Sequence, residues 1–243
     1  MKIKRAFITA SIMLLLVAFC FGRSAFAVTT GFETEDIDQE SQQERLEYMQ
    51  IQLLTSGDEQ TKSIACFDIN DQGMIALGLY SSDNKAIYVY NQKGGFEYGY
   101  AFKDNGNFGV EWDHDNLLIC SVRGDAIIAV DRDANCVGMK SITDSIDNNT
   151  YWNHEIYAVR RTYSGDTYEI RNDLDFFNAF AASKSKLVKI DTEGKTTVIY
   201  DVSDYARTRI IIVLCTVVMF MTIVIFTIVM QFRKLRTKQN GSS

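Results

Sequence analysis

The chain has 243 residues, with 31 Asp and Glu against 25 Lys and Arg, 47% hydrophobic residues and no proline. All 31 acidic residues lie within residues 28–206, together with only 15 of the basic ones, so this segment carries a net charge of −16. A field of that sign repels nucleic acid and anionic surfaces and leaves cations, sugars and proteins as candidate partners.

Residues 1–27 read as a secretory signal. Lys2, Lys4 and Arg5 form a basic start, residues 6–21 an apolar core, and Ala25-Phe26-Ala27 a small-residue cleavage pattern. Cleavage is predicted after Ala27, with an uncleaved signal anchor as the alternative. Phe19 stands before Cys20, where a lipoprotein would carry a small residue. Residues 28–60 read as an acidic linker, disordered over 28–43. The stretch 46–54 is apolar enough for a short strand or helix.

A meander follows. Residues 64–69, 74–80, 86–90 and 96–102 are short runs rich in Val, Ile, Tyr and Phe, separated by Gly, Asn, Asp and Ser. In the last run Phe96, Tyr98, Tyr100 and Phe102 are expected on one face, by strict alternation. A second unit covers 108–112, 117–122, 126–130 and 136–142, and a third covers 155–161, 167–171, 186–190 and 196–200. The run ending in Asn91 recurs ending in Asp131 and again in Asp191, spacings of 40 and 60 residues. The longer interval holds an insertion, 172–185, with Phe176, Phe177 and Phe180. That insertion and the 46–54 segment are candidate caps for the end units.

Residues 210–230 contain no charge, Gly or Pro. At 1.5 Å per residue these 21 residues reach about 31 Å as a helix, the thickness of a bilayer core. Arg207 and Arg209 flank this span on one side, and Arg233, Lys234, Arg236 and Lys238 on the other. The basic tail and the basic N-terminus predict a single-pass type I protein of the cell membrane, with 233–243 cytoplasmic and the body outside. Cys66, Cys120 and Cys136 are odd in number and sit in or beside apolar runs, so three reduced core thiols are expected.

The run FDINDQG-MIALG, followed by AIYVYNQKGGF, resembles the NHL-type repeat of six-bladed β-propellers, with matching positions Asp68, Gly73, Ile87, Val89, Asn91 and Gly94. The second unit keeps Asp131 but has Ala134 where the hairpin Gly falls, and the third keeps Asp191 and Gly194. The whole layout is also similar to single-span membrane proteins of Gram-positive gut bacteria. The resemblance implies a mainly β fold: a propeller-like array of about three four-stranded antiparallel meanders, with a C-terminal transmembrane helix and an N-terminal signal helix. Three units fall short of a closed ring, which typically has 4 to 8 blades. Two uncovered end faces would follow, and with them self-association or a membrane protein partner.

No nucleophile elbow, zinc-binding helix or phosphate loop is present, and no motif asks for a cofactor. Asp131-Arg132-Asp133-Ala134-Asn135 opens like a calcium loop, but Cys136 and Ile142 stand where the loop needs Gly and Glu, so a hairpin turn is expected. The candidate ligand-binding residues lie near unit edges: Trp112, Asp113, His114 and Asp115 in one group, Trp152 and His154 in another. The expected function is a membrane-anchored, extracytoplasmic, non-enzymatic binding module. The alternatives are a sensory subunit signalling through a membrane partner and a metal-dependent hydrolase on a propeller.

Overall fold

The structure is a computed structural model. It describes residues 28–57, 61–80, 84–181 and 183–240, with side chains as far as Gln231. The signal segment 1–27 and the side chains of the basic tail lie outside the described residues.

The fold is mainly β, with three antiparallel sheets and one C-terminal apolar helix. The first sheet is the meander β3 (Ser63–Ile69), β4 (Ile75–Tyr80), β5 (Lys85–Tyr90) and β6 (Phe96–Phe102). The second is β7 (Phe108–Asp113), β8 (Asn116–Ser121), β9 (Ala126–Val130) and β10 (Cys136–Ile142), and the third is β11 (Arg160–Tyr163), β12 (Asp166–Arg171), β13 (Lys186–Ile190) and β14 (Thr196–Asp201). Eleven of these twelve strands fall where the apolar runs place them. The expected strand at 155–161 is displaced. Ser145 caps a short helix, α2 (Ile146–Tyr151), by accepting from the Asn148 N–H, and a π turn, Trp152–Ile156, continues it.

Residues 28–43, expected as disordered linker, are structured instead, and 46–54, expected as a short strand or helix, holds the end of a helix and a strand. Strand β1 (Thr34–Asp36) adds to the outer edge of the second sheet beside β10, and β2 (Gln52–Leu54) adds to the first beside β6. Between them runs helix α1 (Gln39–Met49), whose N-cap Asp38 accepts from Ser41 N–H. The segment is polar because most of it stays at the surface. Two of its apolar residues, Phe32 and Met49, are nevertheless buried, while Tyr48 and Leu53 stay exposed.

The three hairpins ending the third strands are copies of one another. Asn91, Asp131 and Asp191 each accept, through one side-chain oxygen, from the backbone N–H groups two and four residues on, at 2.8–3.0 Å. This accounts for the calcium-like sequence at Asp131, whose carboxylate is spent on its own turn. The turn requires positive φ at Gly94 (80°), Ala134 (67°) and Gly194 (83°). A Cβ in that region costs about 1–2 kcal/mol. Ala134→Gly is therefore expected to stabilise the protein by up to about 1 kcal/mol, net of the extra chain entropy of Gly. Gly194→Ala is expected to destabilise it by about 1 kcal/mol. A Cβ at Gly194 meets nothing within 4 Å, so this variant isolates the backbone term. Urea midpoints of the two variants should move in opposite directions.

The sheets stack face to face in the order third, first, second. One face of the first sheet (Phe67, Leu77, Tyr88) meets Tyr168, Leu187 and Tyr200 of the third. Its other face (Cys66, Ile87, Tyr100) meets Phe108, Ile119 and Ile128 of the second. The alternation expected in β6 is interrupted. Tyr90 pairs with Phe96 and Val89 with Tyr98, so Glu97 bulges out and Phe96 changes face. Phe96 packs on Tyr88 and Tyr90 (5.5 and 6.1 Å between rings), while Tyr98, Tyr100 and Phe102 face the second sheet.

The end face of the second sheet is covered and that of the third is largely polar, with Val198 half-exposed on it. The outer face of the second sheet (Leu118, Cys120, Ile127, Ala129) lies under Phe32, Ile156, Tyr151 and Trp152. The outer face of the third bears Arg160, Thr162, Thr167, Glu169, Arg171 and Lys186 around Val188. Phe176 and Phe180, expected as a cap, cover neither end and are 78% and 49% exposed. Asn148 is buried and bonded to the Glu33 N–H and C=O and to the Thr143 C=O, so its amide is occupied as a structural link.

Helix α3 (Ser203–Asn240) follows directly from β14. Its part Ser203–Gln231 is long and apolar enough to cross a membrane.

Candidate functional site

The strands β3, β7 and β11 open the three sheets and lie next to one another, and they carry the buried charge of the protein. Asp68 on β3 is almost buried. One of its oxygens accepts from Trp112 N–H (2.8 Å) on β7, and the other lies 3.2 Å from Arg161 Nε on β11. Arg161 Nε also donates to the Phe67 carbonyl at 3.0 Å, and the guanidinium lies over the Phe67 ring. One ion pair thus links all three sheets. Burial pushes the Asp68 carboxyl above its usual range, against the lowering effect of Arg161 and the Trp112 N–H.

Glu111, two residues before Asp113 on β7, has both oxygens occupied. Tyr151 OH donates to one at 2.6 Å and Thr30 OH to the other at 2.7 Å. Burial raises its pKa, and these two hydroxyls oppose the shift. Asp113 accepts from Thr29 N–H at 2.8 Å. Residues 29–32 are therefore laced along the outer face of β7 by two successive outward carboxylates, with Phe32 packed on Tyr151 and Trp152. The spacing is that of alternate strand positions, which share a face.

The sequence-predicted residues separate into these roles. Asp113 is buried and structural. His114 takes the turn between β7 and β8 at φ 56°, with its ring exposed and 3.8 Å from Asp113. Asp115 accepts from Gln72 Nε2 at 2.8 Å, which ties the second sheet's turn to the first sheet's. The Trp112 indole packs on the core between the first and second sheets, and its N–H is buried without a partner among the described residues. Trp152 stacks on Tyr157 at 5.6 Å in the cover of the second sheet, and His154 is exposed. Trp152 also lies against Gly109, four residues along β7 from Asp113, a distance of about 13 Å at the strand rise. The two groups therefore do not converge. Both tryptophans are packing residues.

The residues missed in the sequence were Asp68, Glu111 and Arg161. Asp68 carried a signal, a lone acid within the apolar run 64–69. Glu111 and Arg161 had none, since their partners lie 40 to 94 residues away. Chemically the cluster is saturated: its carboxylate oxygens already accept from donors of the chain itself, which leaves no free base aimed at solvent. Among the described residues no group of three or more His, Cys, Asp or Glu is placed to hold a metal ion. Cys66, Cys120 and Cys136 carry free thiols. Burial raises all three, Cys66 to about 12, so they remain protonated and unreactive as packing groups. No family model matches the chain, and the comparisons with curated proteins and with solved structures likewise returned no match.

Proposed function

We propose that the chain is a single-span, membrane-anchored binding module whose propeller-like β body stands outside the cytoplasm and carries no catalytic centre of its own. The observation that carries this reading is the joint between body and helix. The last strand becomes the membrane helix with no linker. Val202 N–H donates to the Ser185 carbonyl at 2.8 Å, Ser203 N–H to Asp201 at 2.9 Å, and the Ser185 and Ser203 hydroxyls lie 3.2 Å apart. Lys186 bridges Asp173 (2.7 Å) and Asp201 (3.0 Å) at the same place. A body fixed this way presents its surface to partners at a constant height above the bilayer.

Further support comes from the saturated carboxylates, which act as staples between sheets. The net acidity of residues 28–206 disfavours nucleic acid as a partner. The chain order of the three units, with the second and third both packed on the first, supports an open propeller-like array. The basic cluster Arg233, Lys234, Arg236 and Lys238 supports a cytoplasmic C-terminus. An epitope tag placed after Ser243 should be protected from protease added to intact cells, while a tag inserted beside Gly57 should be removed. The reverse pattern would overturn the orientation, and with it an extracytoplasmic body.

A further inference from the structure

The insertion between β12 and β13 does not serve the β body. It folds as a single 3₁₀ turn, Asp175–Phe180, beside the root of α3. Leu174, fully buried, seats its start, and its N–H donates to the Asn178 side chain at 3.0 Å. Asp175 pairs with Arg207 on α3 at 3.3 Å. The turn is thus held firmly, yet Phe176 and Phe180 are left exposed, touching each other and Phe177 but no core. Three phenyl rings on one exposed turn need an apolar surrounding, and a soluble surface rarely leaves such a patch uncovered.

Its position identifies that surrounding. A cleft of about 380 Å³ separates the turn from the helix. Phe180 and Leu174 line one wall, and Tyr205, Ile210, Val213 and Leu214 the other. Ile210 opens the charge-free run, and Leu214 lies four residues further, about 6 Å deeper along the helix. Phe180 therefore stands at the depth where headgroups give way to acyl chains, the depth at which interfacial apolar side chains settle, roughly 5–10 Å in. Arg209, at the mouth of the cleft, lies over the Tyr205 ring at 5.9 Å and has no ion-pair partner among the described residues, whereas Arg207 is taken by Asp175 and Asp204.

We propose that the Phe176–Phe180 turn is a second membrane contact, inserted in the outer leaflet beside the span, and that the cleft holds one phospholipid. Arg209 takes its phosphate, and Phe180, Ile210, Val213 and Leu214 take the upper part of an acyl chain. The contact continues the surface of the membrane helix itself, which is why its occupant is lipid rather than protein. Attachment through rings and one arginine also suits a body with a net of −16, which an anionic surface would repel. With the turn and the span both in the bilayer, the body cannot swivel about the helix.

The inference rests on residues 210–230 spanning the membrane, and its test separates the two. The full chain is reconstituted in phosphatidylcholine vesicles containing a photoactivatable acyl-chain analogue, and lipid adducts are mapped by mass spectrometry. Adducts are expected on residues 174–181 as well as 210–230. The double variant F176S/F180S should lose at least about 90% of the adducts on 174–181 while keeping those on 210–230, and R209Q should lower labelling of the turn without touching its rings. Adducts on 210–230 alone would overturn this inference and leave the span intact. Their absence from both segments would overturn the span and, with it, this inference. Crosslinks from the turn to a second copy, with no lipid adduct there, would assign the surface to self-association and overturn the lipid contact.

Discussion

Arg161→Met is expected to lower the unfolding free energy by about 3–5 kcal/mol at neutral pH, the usual cost of removing one partner from a buried ion pair. Asp68 would then remain as a charge inside the protein, held by backbone N–H groups such as that of Trp112. Asp68 already has a raised pKa because burial outweighs its pairing with Arg161. Without Arg161 the shift grows. The folded state then holds its proton to higher pH than the unfolded state does. Stability consequently falls as pH rises from the unfolded value near 3.8 through the folded one. The penalty of Arg161→Met should be small below that window and fully developed above it. Asp68→Asn combined with Arg161→Met removes both charges and should recover most of the loss, since neutral pairs of similar size replace buried ion pairs at little cost. Urea unfolding of the wild type and the two variants at acid and neutral pH measures this. Equal losses for Arg161→Met at both pH values would show that Asp68 is not the group left stranded.

Phe108→Ala should destabilise the protein by about 3–5 kcal/mol, the range for deleting a large buried aromatic side chain. Phe108 is fully buried where the first and second sheets meet, edge-on to Phe102 at 5.1 Å and to Tyr80 at 6.1 Å. Gly78 makes the room. A Cβ there would lie 3.1 Å from the Phe108 ring and 2.6 Å from the Cys66 sulfur. With glycine behind the ring, no side chain stands ready to refill the hole, so the cavity term is added to the lost burial. Phe108→Leu, which keeps much of the volume, should cost less than half as much in the same denaturant titration. Equal losses for Leu and Ala would mean that the site collapses and that sheet packing does not depend on this ring.

One end of the stack could have been read from pattern alone. In the first unit β4 and β5 are apolar at nearly every position, which marks strands buried on both faces. The same holds for β8 and β9. In the third unit β12 alternates Tyr168 and Ile170 with Thr167, Glu169 and Arg171, which marks a sheet with one wet face and therefore an end of the stack. What alternation could not reveal was the bulge at Glu97. One extra residue turns every side chain before it to the other face, and nothing in Phe96-Glu97-Tyr98 distinguishes a bulge from a regular strand. The buried charges escaped notice for a related reason. Trp112, His114 and Trp152 stood out by residue type, whereas the charges that bind the sheets together are distinguished only by partners far away in the chain.

Local sequence was enough for the local elements of this protein: eleven of the twelve strands of the three meanders, the three repeated hairpins, the free thiols and the helix that can cross a membrane. Each follows from interactions within a few residues, whether alternation, turn chemistry or an unbroken apolar run. What those elements meet was settled by the packing of the fold. It brought Asp68, Trp112 and Arg161 together from three sheets, turned an acidic linker into edge strands and a helix, and set Phe176 and Phe180 beside the membrane helix instead of over a sheet. These outcomes depend on desolvation and contact between segments distant in the chain. A short polar stretch with two or three apolar residues is a linker or a lid according to whether another part of the fold offers those residues a place to bury.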